Sequence, residues 1–397
     1  MVRREDRVAT STAAFKAGPY ATRRTALAFG LQALALGACS KDKIEPSEES
    51  ASQEVTMTIH NATPATGGDI YIPFDQREGA ESVVWFTRDI SPEGLRKAFA
   101  KVADKLDGKV AIKLHTGEQH GPNIIPAAWV KELIEKDLPE ATIIETNTYY
   151  AGDRDTTEKH LETLKVNGWT FCPVDITDDE GYVEWPVEGG KWFDTMAVGS
   201  HLPNYDSMLT LTHFKGHMMG GFGGSNKNIG IGCATGKEGK KWIHTQTSDN
   251  GASWGGQWSV ANEELMEKIT ESTKATIDHF GERVVYVNVM RNMSVSCDCE
   301  GTSAQPVVTP NVGILASTDI CAIDTACVDL VLTMTHEGLV HNHDLEERMS
   351  SRHGFRQLEY MHELGMGNWR YQLLDLDNAE EPVSLSDAVA HVVPFEG

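Results

Sequence analysis

Short apolar runs alternate with amphipathic stretches along this chain, and that alternation leaves few folds open to it. Glu81–Arg88 (ESVVWFTR), Lys109–Leu114 (KVAIKL) and Thr142–Glu145 read as buried strands. Between the first two, Ser91-Pro92-Glu93 supplies an N-cap and a first-turn proline, and Leu95, Phe99, Val102 and Leu106 follow at helical spacing. Pro126–Lys136 and Thr156–Asn167 read as the next helices. Further on, Met196–Val198, Ser207–His213, Arg283–Met290, Asn311–Ala316 and Tyr371–Leu376 read as strands of the same sheet. Asn262–Phe280, Cys321 to about Thr335 and Leu345–Leu364 read as helices. Gly181–Phe193 suggests a hairpin or lid, and Ile243–Trp258 a loop. The fold class expected is α/β: mainly parallel sheet or sheets flanked by helices with right-handed crossovers, in one body or in two lobes with the site between them. A chain of 397 residues with 40% hydrophobic content can bury such a core.

Where the Ser207–His213 strand ends, the composition changes abruptly. Nine of the twenty-four residues from Gly216 to Gly239 are glycine, interspersed with His217, Lys227, Cys233 and Lys237 and preceded by His213 and Lys215. Glycines let backbone amides approach a bound group closely, and the lysines add positive charge, so the segment predicts a nest for a small anion. Ligand sites of open α/β sheets lie beyond such strand ends. Lys227, Gly223, Gly224 and Asn228 are therefore candidate cofactor contacts. His217, His213 and Lys215 are candidate catalytic groups, because histidine titrates near neutral pH without extreme tuning. A flexible glycine loop with solvated lysines is the bland alternative.

Two earlier strand ends carry polar clusters. Lys113 and Glu118 follow the second strand, while Asn147, Arg154 and His160 follow the third; either ligand contact or loop hydrogen bonding accounts for them. Late in the chain, Cys297-Asp298-Cys299 offers two thiolates to a soft metal, alone or with Cys321 or Cys327, or else disulfides with those same cysteines. Asp319 suits a helix cap better than a site. His336, Glu337, His341 and His343 lack the spacing that sets two ligands on one helical face, and a solvated turn is expected there.

The net charge is −23, and residues after Ala38 alone carry −27, which makes nucleic acid and anionic lipid surfaces poor partners. Thr22-Arg23-Arg24-Thr25 precedes the apolar run Ala26–Ala38, too short to span a bilayer, which ends in Leu36-Gly37-Ala38-Cys39. This is similar to a twin-arginine export signal joined to a bacterial lipoprotein box. It implies an exported lipoprotein, periplasmic or on the outer face of a membrane, lipidated at Cys39. An ordinary secretory signal is the alternative. The expected organisation is an export signal over 1–38, a lipidated polar tether over 39–55, an N-terminal extension over 56–80, an α/β domain over 81–377 and a tail over 378–397.

Several segments together resemble the domain-of-unknown-function family numbered 362: AIKLHTGE at Ala111–Glu118, ETNTYYAGDR at Glu145–Arg154, HFKGHMMGGFGGSNKNIGIG at His213–Gly232, CDCEG at Cys297–Gly301 and GILASTDICAID at Gly313–Asp324. Many members carry two ferredoxin-type iron–sulfur modules after the glycine loop. Here that place is Thr245–Asn262, which has no cysteine, so a four-iron cluster is not carried over. A fainter likeness links His217, Lys227 and His244 to the segment of lactate racemases that holds a nickel-pincer nucleotide. That resemblance implies Lys227 as cofactor anchor, His244 as metal ligand and His217 as acid/base, although His244 lies one residue beyond the racemase spacing. The function expected is an enzyme that binds an anionic or metal-containing cofactor and transfers protons in the manner of a racemase or epimerase. The alternative is a redox or metal-handling protein using Cys297, Cys299, Cys321 and Cys327.

Overall fold

The computed structural model describes residues 58–340 and 343–393; the segment expected to be an export signal, Cys39 and His341 lie outside them. The first half of the chain forms β1 (Glu81–Thr87), α1 (Pro92–Phe99), β2 (Val110–Lys113), α2 (Ala127–Asp137), β3 (Thr142–Glu145), α3 (Thr157–Val166), β4 (Val174–Ile176), β5 (Tyr182–Pro186) and β6 (Thr195–Gly199). The glycine-rich region supplies β7 (Ser207–His213), β8 (Lys215–His217), β9 (Gly221–Gly223), α4 (Ser225–Gly232) and α5 (Gly239–His244). The remainder forms α6 (Asn262–Phe280), β10 (Val284–Met290), β11 (Gly313–Ser317), α7 (Ile320–His336), α8 (Asp344–Ser351), α9 (Arg356–Glu363), β12 (Arg370–Asp375), β13 (Glu381–Pro382) and α10 (Leu385–Val389).

Nine strands make one sheet in the order β13-β12-β1-β11-β10-β7-β2-β3-β4. Five of its pairings are parallel, and β11 runs against both of its neighbours. The mainly parallel α/β class expected from the alternation is present as a single sheet, with no second lobe among the described residues. Successive strand residues point to opposite faces, so Ala111 and Met208 pack with Ile229 of α4, Leu265 of α6 and Ile323 of α7. Ile112 and Leu209 pack with Leu95, Val130 and Leu164 of α1, α2 and α3. Both faces are covered, and for that reason β7 and β10 are buried at every position. Ser91 caps α1 by accepting from the Gly94 amide, and Asp319 caps α7 by accepting from Ala322.

Four expectations change. The segment 196–198 does not return to the main sheet; β6 pairs only with β5, as a separate hairpin. Glycine-dense 214–239 is not one loop but the β8–β9 hairpin followed by two helices. Gly230 is what α4 needs: a Cβ there would lie 2.4 Å from the Ile269 carbonyl oxygen, so only glycine allows α4 to rest backbone to backbone on α6. The last long helix is broken into α8 and α9, with His353 at φ 57° between them. The expected tail is docked over its described residues, since Ala388 and Val389 of α10 are buried.

The extension before β1 is docked. Arg77 reaches both carboxylate oxygens of Asp329 at 2.7 Å, and the hydroxyls of Tyr71 and Tyr371 donate to the same group. No helix among the described residues is long and apolar enough to cross a membrane.

Candidate functional site

The parallel strands β2, β3, β7 and β10 all deliver their C-terminal ends to one edge, and there the chain encloses a cavity of about 590 Å³. Lys113 and His115 reach it from β2, Thr146, Thr148, Tyr149, Tyr150 and Arg154 from beyond β3, Lys215 and His217 from β8, and Lys227 and Asn228 from α4. Lys240 and His244 reach it from α5, and Cys297, Cys299 and Glu300 from the turn after β10. Of the candidates named from sequence, Lys113, Lys215, His217, Gly223, Gly224, Lys227, Asn228, His244, Cys297 and Cys299 line this space.

His213, Glu118 and Asn147 do not. The His213 ring is used up, with Nδ1 2.8 Å from Asp298 and Nε2 2.7 Å from the Arg291 carbonyl. Glu118 accepts from Arg154 and from the Tyr150 hydroxyl, and the Asn147 amide donates to Thr157. All three are one step removed: Glu118 holds Arg154 and Tyr150, the His213 carbonyl accepts from Lys215 and the Asn147 carbonyl accepts from Lys240, and those partners do face the cavity. Cys321 and Cys327 are buried in α7 against the Leu358 carbonyl and Asn288, apart from the Cys297–Cys299 pair, so the expected four-cysteine set is not assembled. The six described cysteines are free thiols.

The glycines serve packing rather than an open nest. The first amides of α4, Ser225 and Asn226, donate to the Asp324 carboxylate at 2.7 and 2.9 Å, and a Cβ on Gly224 would lie 2.5 Å from that carboxylate. A protein side chain thus already occupies the position expected for the ligand anion. Similarly, a Cβ on Gly232 would sit 2.0 Å from Lys113 Cε. The Lys113 ammonium is anchored by Glu145, the Leu114 carbonyl and Asn228 Oδ1, so it cannot simply swing aside. Gly232→Ala is expected to cost about 1–3 kcal/mol by overpacking. Urea unfolding of the variant checks this, and wild-type stability would mean that the lysine is loosely held.

Charge within the cavity is almost fully balanced. Lys113 pairs with Glu145 at 2.9 Å, Arg154 with Glu118 at 2.7 Å and Lys215 with Asp298 at 3.0 Å. Burial opposes ionisation of Asp298, but the charges of His213 and Lys215 prevail and hold its carboxyl below the usual range. Among the described residues Lys240 has no carboxylate within ion-pair distance; it donates to Thr146 Oγ1 at 2.8 Å and to the Asn147 carbonyl, and burial pushes it down to about 8. Lys227 differs from all of these. Among the described residues it has neither a hydrogen-bond acceptor nor a carboxylate partner, and its charge acts on the thiols of Cys297 and Cys299.

Two of the three cavity histidines, His217 and His244, present opposite faces. The Nδ1 of His217 accepts from the amides of Met219 and Gly220 at 3.2 and 2.8 Å, which assigns the hydrogen to Nε2. Burial, then the nearby Lys227 charge, lowers its pKa and favours neutral imidazole. His244 does the reverse. Its Nδ1–H donates to the Lys240 carbonyl at 2.7 Å, burial pushes it down to about 3, and Nε2 is left with a lone pair. A ring nitrogen held by a backbone carbonyl, with the other nitrogen free, is the arrangement of a metal-ligating histidine.

His244, expected as a metal ligand from the racemase resemblance, does not join the Cys297–Cys299 pair. The potential ligand atoms that lie within 4.8 Å of one another are those of His217, Cys297 and Cys299. Because His217 offers a hydrogen there instead of a lone pair, this group is arranged around an anion.

Sequence reading missed Lys240, Trp258 and Glu300. Lys240 lies four residues before His244, a spacing that sets both on one face of α5. That signal was lost by expecting 243–258 to be loop. Trp258 stands against His244 and Tyr149, with ring centroids 4.9 and 5.1 Å away, and closes the cavity on that side.

Comparison with known proteins gives one family. The model described as domain of unknown function (DUF362) matches residues 110–329, more than half the chain and every strand end that builds the cavity. No curated protein matches the sequence. Among solved structures, the lactate racemase apoprotein from Thermoanaerobacterium thermosaccharolyticum is similar at 12% identity and a TM-score of 0.35, over 77% of this chain and 85% of that one. A protein from Thermotoga maritima is similar at 14% identity and a TM-score of 0.31; the match spans about half of each chain, 51%.

Proposed function

We propose, from the premise that this chain belongs to the domain-of-unknown-function family DUF362, that it is an exported, lipid-anchored enzyme holding a small anionic, metal-bearing cofactor in the cavity and transferring protons there. The observation that carries this reading is the half-buried Lys227 ammonium, the cavity cation left without hydrogen bond or carboxylate among the described residues. Leaving a charge unpaired in a partly desolvated site is costly, and an incoming anion removes that cost.

His244 fits the metal-bearing part through Nε2, because its other nitrogen is already held by the Lys240 carbonyl. A metal there would act as a Lewis acid on a ligand oxygen. This chain's own residues supply the rest. Lys227 seats the negative group. His217, fixed by two backbone amides, holds a proton at Nε2 and presents it to a ligand oxygen; being neutral, it does so without adding a second charge beside Lys227. Tyr149 and Trp258 restrict water on one side. The spacing of His217, Lys227 and His244 also supports this reading. The expected acid/base role of His217 is thereby narrowed to that of a proton donor.

Purification from the native host, followed by intact mass and elemental analysis, tests it. The expected result is a mass above that of the processed chain together with a stoichiometric metal. A protein of the bare processed mass carrying no metal would overturn the cofactor reading.

A further inference from the structure

We infer that Cys297 is a nucleophilic thiolate that forms a covalent bond with a small α-oxo carboxylate seated in the cavity. The sulfur is surrounded by hydrogens. Cys297 starts the short turn Asp298–Ser303 and forms a capping box with Glu300: the Glu300 amide donates to the Cys297 sulfur, and the Cys297 amide donates to the Glu300 carboxylate at 2.9 Å. The Cys299 sulfur and a His217 ring nitrogen lie within 4.8 Å of this sulfur. Since Nδ1 of His217 is taken by two amides, what it offers is Nε2–H. His115 is set the same way, its Nδ1 accepting from the Gly117 amide at 3.2 Å, and it too faces Cys297.

Donors and a nearby ammonium stabilise an anion, so the arrangement favours thiolate over thiol. A cation would need lone pairs in these places. The charged and titratable groups around the sulfur are Lys215 and His217 of β8, Lys227 of α4, His115 beyond β2, and Asp298, Cys299 and Glu300 of its own turn, with Asp298 paired to His213 and Lys215. A second, separate feature points to a ligand: His244, only 6% exposed, lines the same cavity with Nε2 unpartnered.

The substrate class follows from the pairing of groups. Lys227 takes a carboxylate, and a soft sulfur nucleophile wants an adjacent electrophilic carbon, which a carbonyl next to that carboxylate supplies. In the step, the sulfur electron pair forms a C–S bond and the carbonyl π pair moves to oxygen. The oxygen takes the Cys299 thiol proton, leaving the negative charge on Cys299 beside Lys227. Reversal restores both cysteines, and no oxidant or reductant is consumed. This inference rests on Lys227 as an anion seat.

Reaction of the full native chain with iodoacetamide at pH 6, read by peptide mass mapping, tests the thiolate. Cys297 should be alkylated first and about tenfold faster than glutathione, once the lower nucleophilicity of a low-pKa thiol is allowed for. His217→Asn should slow it. Glyoxylate should protect Cys297, and isotopically labelled glyoxylate should show its carbonyl carbon converted to a tetrahedral thiohemiacetal, a signal absent in Cys297→Ser. If that variant does not fold, the peptide map of the wild-type chain identifies the residue without it.

Alkylation no faster than glutathione overturns the thiolate. Fast alkylation without glyoxylate protection overturns the covalent step, whereas failure of the anion seat would appear as undiminished glyoxylate protection in Lys227→Ala, with Cys297 of the wild-type chain still alkylated fast. Added cobalt(II) that masks both thiols with a sulfur-to-metal charge-transfer band overturns the inference in favour of a metal site.

Discussion

Glu145→Ala should lower the stability of the whole protein by about 3–5 kcal/mol at pH 7, because it leaves a buried ammonium without its counter-ion. Glu145 is the anchor of the site. One carboxylate oxygen accepts from Lys113 at 2.9 Å, and the other accepts both the amide and the hydroxyl of Thr116 at 2.9 Å. Lys113 is only 1% exposed, so its charge cannot turn to water once the carboxylate is gone. Burial opposes ionisation of Glu145, yet the Lys113 charge, followed by His115 and Arg154, holds its carboxyl well below the usual range.

A depressed carboxylate pKa sets the sign of the pH effect. The pair's contribution is fully present above the unfolded glutamate value of about 4.3 and is lost as pH falls through the lower folded value. Urea unfolding at pH 7 and at pH 3 should therefore show a large deficit for Glu145→Ala at the higher pH and a smaller one at the lower. A deficit under about 1 kcal/mol at pH 7 would mean that the Lys113–Glu145 pair is solvated, since exposed pairs contribute no more than that.

Lys227→Ala should behave in the opposite way. No described residue pairs with this ammonium, so stability should stay within about 0.5 kcal/mol of wild type, as for substitutions that break no buried contact. Binding should suffer instead. Losing the cation that faces a partly desolvated anion costs about 2–5 kcal/mol, or a fall of roughly 30-fold or more in affinity. Native mass spectrometry of the variant from its own host should show the anionic ligand stripped. A fully loaded, equally stable Lys227→Ala protein would remove Lys227 from the site. The contrast between the two substitutions separates the framework of the cavity from the seat within it.

Much of the framework could be read from residue order because its causes are local. Ser91-Pro92 starts α1 and Asp319 starts α7 whatever surrounds them, since the capping bond is made within one turn. Ser207–His213 and Thr142–Glu145 became strands with the expected bounds because both faces of the sheet are covered and a short apolar run meets that need. The positions of Lys113, Lys215, His217, Lys227, Cys297 and Cys299 at strand ends were legible for the same reason. Parallel strands deliver their termini to one edge.

Where expectation failed, a distant residue intervened. The glycines of α4 weigh against a helix on propensity alone, yet α6 contacts the α4 backbone so closely at Gly230 that only glycine fits. The backbone amides counted toward an anion nest donate to Asp324, nearly a hundred residues later. Residues 345–364 have one amphipathic period but two helices, because the chain turns at His353 where Gly354 packs against Gly221.

From sequence alone came the α/β class, the single edge where chemistry-bearing side chains collect, and the identity of most of those side chains. These depend on periodicity and on strand direction, which residue order encodes within a few turns. The tertiary structure alone decided which charges cancel, and therefore that Lys227 is left over. It also decided which nitrogen of each histidine carries the hydrogen, so that His217 donates and His244 keeps a lone pair. Those properties depend on partners brought together across the chain at distances of about 3 Å, the scale on which hydrogen bonds are made.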